Sequence, residues 1–110
     1  MTRKEILSIS DYFFQLNPVH DKLEIHRLAN KNSPNSEKFT FENSQEIVTI
    51  GRDSKCNIYF NGDKAFSKIQ TTFIFDKDMK VWKIKDGSED KSSTNGTWYF
   101  YLFNKLIFFL

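Results

Sequence analysis

Apolar and polar positions alternate with a period near two over much of this chain. Leu23-Glu24-Ile25-His26-Arg27-Leu28 is the clearest case, the mark of a half-buried strand. Phe39-Thr40-Phe41, Glu46 to Ile50 and Ile58 to Phe60 are shorter strands. Ile69 to Phe75 and Met79 to Ile84 form a hairpin pair across Asp76-Lys77-Asp78. Thr97 to Phe103 and Leu106 to Leu110 read as final strands around Asn104-Lys105. Ala29 to Lys38, with Pro34, and Asp86 to Ser93, with Gly87, are polar loops, and Asn61-Gly62 is a turn. Met1 to Phe14 fits either a short helix or an edge strand, ended by Pro18. The pattern contains no convincing helix and no internal repeat. Many short strands between turns predict an all-β sandwich or barrel.

Composition narrows the class. With 110 residues there is one domain at most. Aromatics make up 16%, including twelve Phe, so the chain is not of the disordered type. A net charge of +2 gives little drive toward nucleic acid or an anionic membrane, and neither is expected as a partner. The single Cys56 excludes an internal disulfide framework and a multi-cysteine zinc site, which fits a reducing, intracellular compartment, cytoplasmic or nuclear. It has no local His or basic cluster to activate it. His20 and His26 lack metal-ligand spacing, and no Walker loop or dinucleotide fingerprint is present. No cofactor, no metal and no enzymatic activity is expected. Ile6 to Ser10 is too short and polar for a signal-peptide core, and the apolar Trp98 to Leu110 is too short to cross a bilayer.

The remaining chemistry lies in three polar sites between strands: Gly51-Arg52, Ser67-Lys68-Ile69-Gln70 and Ser93-Thr94-Asn95-Gly96-Thr97. Loops of one β-domain can converge at one end. Together they offer a guanidinium, an ammonium, hydroxyls and an amide, which suit holding a phosphate rather than breaking bonds. Arg grips phosphate oxygens through two parallel hydrogen bonds and Lys adds a point charge. Each site alone is also what an ordinary turn contains. Gly51 and Asn95-Gly96 are turn residues, Arg52 and Lys68 are ordinary solvated cations, and Gln70 is a strand residue whose amide needs partners.

The order and spacing of the three sites resemble the forkhead-associated (FHA) family of phosphothreonine-peptide binders. That family carries Gly-Arg, then Ser-x-x-His, then Asn-Gly, with strands between them. The resemblance covers Leu23 to Tyr101, and Ser93-Thr94-Asn95-Gly96-Thr97 after an Asp-containing loop is its most specific part. It implies a β-sandwich of about eleven strands whose loops bind phosphothreonine at one end. Arg52, Ser67 and Lys68 are then expected at the phosphate, and Thr94 and Asn95 on the ligand backbone. Gly51, Gln70 and Gly96 are expected as structural support.

Two departures stand out. Gln70 replaces the family's His, mostly a brace for the loops; Gln also donates and accepts, so binding is expected to survive. The chain after Gly96-Thr97 is short and aromatic, giving either shortened closing strands or an exposed apolar edge that a constitutive protein partner covers. The expected organisation is an N-terminal extension over 1–20, an FHA-like domain over 21–103, and an apolar tail or closing strand over 104–110. The phosphothreonine-containing protein or peptide is the expected partner. The alternative is a structural subunit of the same fold docked in a larger assembly.

Overall fold

The computed structural model describes residues 5–19, 22–31, 34–88, 91–101 and 107–109. Among them are ten strands and one 3-10 turn, Asn43–Gln45. The strands are β1 (Glu5–Ile9), β2 (Tyr12–Val19), β3 (Lys22–Arg27), β4 (Glu37–Glu42), β5 (Ile47–Gly51), β6 (Ile58–Tyr59), β7 (Thr71–Asp76), β8 (Val81–Asp86), β9 (Trp98–Tyr101) and β10 (Ile107–Phe109). They form two five-stranded sheets, one in the order β4-β3-β2-β1-β9 and the other β10-β8-β7-β5-β6. The all-β expectation is met in this two-sheet form, with ten strands described where the resemblance implies about eleven.

The period-two pattern explains the core. Leu7 and Ile9 of β1, Phe14 and Leu16 of β2, and Leu23 and Ile25 of β3 are buried from one sheet. Val48, Ile50, Ile58, Phe73, Trp82 and Ile84 are buried from the other, and both sets belong to one apolar cluster. Alternate residues point outward, as expected of a two-layer sandwich.

The opening residues depart from expectation. Met1 to Phe14 is neither helix nor edge strand where it is described: β1 lies between β2 and β9. Residues 5–19, expected as an extension ahead of the domain, thus supply two strands and four core side chains. Short runs such as Leu7-Ser8-Ile9 carry too few residues to separate helix from strand by periodicity; the apolar pairing Leu7↔Phe14 decides. Pro18 does not end β2, which continues to Val19 opposite Lys22. Pro18 lies opposite Leu23 of β3, beyond Leu16, which is paired with Glu5 of β1.

The end of the chain divides between the sheets. β9 pairs antiparallel with β1, and β10 pairs parallel with β8. The expected turn at Asn104-Lys105 lies outside the described residues.

The register of the second sheet sets one end of the molecule apart. Ile50 pairs with Thr71, and Thr71 with Asp86. The loops leaving β5, entering β7 and leaving β8 therefore emerge side by side. These are the loops that carry the three polar sites.

Candidate functional site

The first two loops are laced together beyond the strands. Gln70 N donates to Ile50 O (2.8 Å), Arg52 N to Ser67 O (3.0 Å) and Asp53 N to Lys68 O (3.1 Å). Such close approach of two backbones requires Gly51. A Cβ there would lie 2.1 Å from Lys68 O and 3.0 Å from Cys56 Sγ. Cys56 is buried beneath this crossing and donates its thiol to Lys68 O (3.3 Å). Burial pushes its pKa up, so the thiol stays protonated.

Gln70 connects the second loop to the third. Its side chain is fully buried. Its Oε1 accepts from Ser67 N (2.9 Å), while its Nε2 donates to Gly96 O (2.8 Å) and to Thr97 Oγ1 (3.2 Å). Its backbone carbonyl accepts from Gly87 N (2.8 Å) and Thr97 Oγ1 (3.2 Å). Both ends of the amide are thus used, as burial demands.

The third loop is held from its own side by Asp86 at the end of β8. Its carboxylate accepts from both the backbone N and the hydroxyl of Ser93. Ser93 Oγ then accepts from Gly96 N (2.9 Å). Gly96 sits at φ +84°, a left-handed conformation that favours glycine and turns the chain into β9. Asn95 Nδ2 donates to Ala65 O (3.1 Å), joining this loop to the 61–66 turn.

Arg52 is positioned by an aromatic cluster. Phe60 and Phe66 stack with centroids 4.0 Å apart, and Tyr12 meets both edge-on. Tyr12 also donates its hydroxyl to Asp63 (2.7 Å), which raises the phenol pKa and pins the turn to the opposite sheet. Phe66 is buried, and its carbonyl accepts from Arg52 Nε (3.0 Å). The two terminal nitrogens of the guanidinium have no hydrogen-bond partner among the described residues. Ser67 Oγ accepts from Thr94 N (2.9 Å), so its own proton has only the long 3.4 Å contact to Thr94 Oγ1.

These side chains line one cleft of about 290 Å³, made by Arg52, Lys64, Phe66, Ser67, Lys68, Ile69, Ser88, Lys91, Ser92 and Thr94. Among the described residues its lining holds four cations and four hydroxyls, and no carboxylate. That arrangement can desolvate and hold an anion with several donors.

Of the residues expected at a ligand, Arg52, Ser67, Lys68 and Thr94 meet in this cleft. Asn95 is adjacent and exposed but does not line it. Gly51, Gln70 and Gly96 lie in the framework behind. Lys64, Lys91, Ser88 and Ser92 were not anticipated. Lys64 follows the Asn61-Gly62 turn and Lys91 precedes Ser93, so proximity to the recognised motifs was the available signal. The bracing pair Asp86–Ser93 was also missed.

Residues 48–101 match the family model of the FHA domain, a span that contains Arg52, Ser67, Lys68, Gln70 and the whole third loop. No curated protein and no solved structure matches the chain. FHA domains are phosphopeptide-binding interaction modules, not enzymes.

Proposed function

The chain belongs to the FHA domain family, and on that premise we propose that it recognises phosphothreonine in a partner protein. The observation that carries this reading is the meeting of Arg52, Ser67, Lys68 and Thr94 in one cleft. Arg52 presents its two terminal nitrogens to the phosphate while its Nε stays on Phe66 O. Ser67 gives its hydroxyl proton to a phosphate oxygen and keeps Thr94 N as its donor. Lys68 adds charge. Thr94 and Asn95 hold the ligand backbone beside the phosphate, Asn95 through the amide oxygen that its bond to Ala65 leaves unused. Gly51, Gln70 and Gly96 keep the three loops in register. In the family, preference over phosphoserine comes from a small niche for the threonine methyl, and the same preference is expected here.

A charge-assisted hydrogen bond contributes roughly 1.5–3 kcal/mol. Arg52→Ala therefore weakens binding about ten- to hundredfold. The test is a titration with degenerate phosphothreonine peptides against phosphoserine and unphosphorylated pools. Equal binding of all three pools, or unchanged affinity in Arg52→Ala, overturns the reading.

A second reading, an assembly subunit of the same fold, draws on one observation. Trp98 is 62% exposed and Phe13 46% exposed, and both pair with Ser8, from opposite sides. They share the outer face of the β2-β1-β9 sheet, where a constitutive partner covering the chain's end would also reach them. Light scattering decides: a well-behaved monomer whose solubility is indifferent to Trp98→Ser removes the motive for this reading.

A further inference from the structure

We infer that a groove on the open side of the sandwich holds a lysine or arginine side chain of the same protein that places its phosphothreonine in the cleft. The groove, of about 380 Å³, lies between β4 and β6, the edge strands of the two sheets. Its walls are largely aromatic, from Tyr12, Phe39, Tyr59 and Phe60. Glu37 and Asp63 add two carboxylates and Arg27 one guanidinium, so the described lining residues carry one net negative charge. Asn32 and Ser33, the residues of the 29–36 loop outside the described ones, are uncharged.

The cation already present is turned inward. Arg27 is buried, with Nε donating to Glu37 (2.9 Å), Nη2 to Asn35 O, and Nη1 sealed from solvent. Held in this way, it is closed to an anion arriving from solvent. The phenol protons are also engaged: Tyr12 donates to Asp63 (2.7 Å) and Tyr59 to Asn61 Oδ1 (2.9 Å). The Glu37 side chain is 56% exposed and Tyr59 46% exposed, so a carboxylate and a ring remain within reach of a ligand. A cation is attracted to the face of an aromatic ring and gains further from a carboxylate beside it. An apolar side chain would use the rings but desolvate the carboxylates without a partner.

The groove adjoins the phosphate cleft across one turn. Asp63 lines the groove and Lys64, the next residue, lines the cleft. Phe60 and Phe66 likewise line one each, and their rings stack 4.0 Å apart. One extended ligand reaches both, which makes a side chain of the same partner the occupant. The inference rests on the phosphothreonine reading for its partner, though not for the chemistry of the groove.

The test uses phosphothreonine peptides on the full chain, with arginine, lysine or glutamine scanned through the flanking positions. A cationic side chain at the position that reaches the groove should tighten binding about three- to thirtyfold over glutamine. The net charge of +2 gives the chain no general attraction for cations. Tyr59→Ser with Glu37→Gln should bring the arginine-to-glutamine ratio close to one, the new amide keeping an acceptor for Arg27 Nε. Glu42→Gln removes a carboxylate from the far end of β4 and should leave the ratio intact. If it lowers the ratio as much, the gain belongs to net charge and the groove is removed as its cause. Equal affinity for arginine and glutamine at every position overturns the inference while the phosphothreonine reading stands. Separately, N-acetyl-arginine amide at millimolar concentration should shift the backbone NMR signals of Asn61 and Asp63, and should not do so in Tyr59→Ser. Absence of that shift overturns the groove whether or not phosphothreonine binds. A shift without any phosphothreonine binding keeps the cation site and overturns the shared partner.

Discussion

Gln70 offers the sharpest test of how the three loops are held. Gln70→Met keeps a side chain of similar length and removes both polar ends of the amide. Ser67 N and Gly96 O then lose their partners, while Thr97 Oγ1 keeps Thr71 Oγ1 and the Gln70 carbonyl. An unsatisfied buried backbone group costs about 1–3 kcal/mol. Both groups sit in half-buried residues, so the low half of that range applies to each. The sum is about 2–4 kcal/mol, a large part of what a small domain has. In urea, with a slope of about 2 kcal/mol/M, the midpoint should fall by about 1–2 M with the slope unchanged. Phosphopeptide affinity should fall as well, because Ser67 and Thr94 lose their common frame. Gln70→His should recover most of the loss, since a neutral imidazole also has one donor and one acceptor. A midpoint shift in Gln70→Met smaller than about 0.3 M would show that water replaces the amide freely, and the bracing argument would fail.

Other perturbations probe neighbouring features. Gly51→Ala puts a methyl 2.1 Å from Lys68 O and must part the two loops, with a loss of about 2 kcal/mol or more in a urea melt; a neutral result would contradict the crossing. Asp76 accepts from Lys83 and caps the β7–β8 turn through Asp78 N and Met79 N, and the Lys83 bond first of all lowers its pKa. A carboxylate with a depressed native pKa adds stability above its ordinary value of 3.8 and loses it as pH falls through the native one. Asp76→Asn should therefore flatten the acid limb of a melting-temperature profile below about pH 4; an unchanged slope would refute the coupling. Native Cys56 should alkylate far more slowly than the urea-unfolded chain, as read by mass spectrometry, because its thiol is buried, protonated and bonded.

Much of the fold was legible because a sheet repeats every second residue. Val48 and Ile50, or Trp82 and Ile84, announce an inward face without reference to any partner. β1 was not legible for the opposite reason. Its place inside the sheet depends on pairing with β9 near the other end of the sequence, and pairing at such a separation leaves no local trace. The site divides in the same way. Arg52, Ser67 and Asn95-Gly96 stand in a recognisable order along the chain, so the resemblance found them. Lys64, Lys91 and the Asp86–Ser93 clamp belong to no ordered motif, and only the convergence of loops from β6, β7 and β8 gives them a place.

The same convergence separates what holds the site from what the site holds. The backbone of the loops is tied down by Gln70, Asp86, Ser93 and the crossing at Gly51. Arg52, Lys64, Lys68 and Lys91 line the cleft and have no ion-pair partner among the described residues. A frame that is already ordered need not be ordered again by the ligand, which keeps the entropic cost of binding low. It also means that stability and affinity respond to different substitutions. Changes at Gln70 or Gly51 should reduce both. Arg52→Ala gives up one surface bond to Phe66 O and should cost the fold about 1 kcal/mol at most while removing most of the phosphate affinity. If Arg52→Ala instead unfolded the chain, its guanidinium would belong to the frame, and the phosphate grip would have to be sought among the lysines.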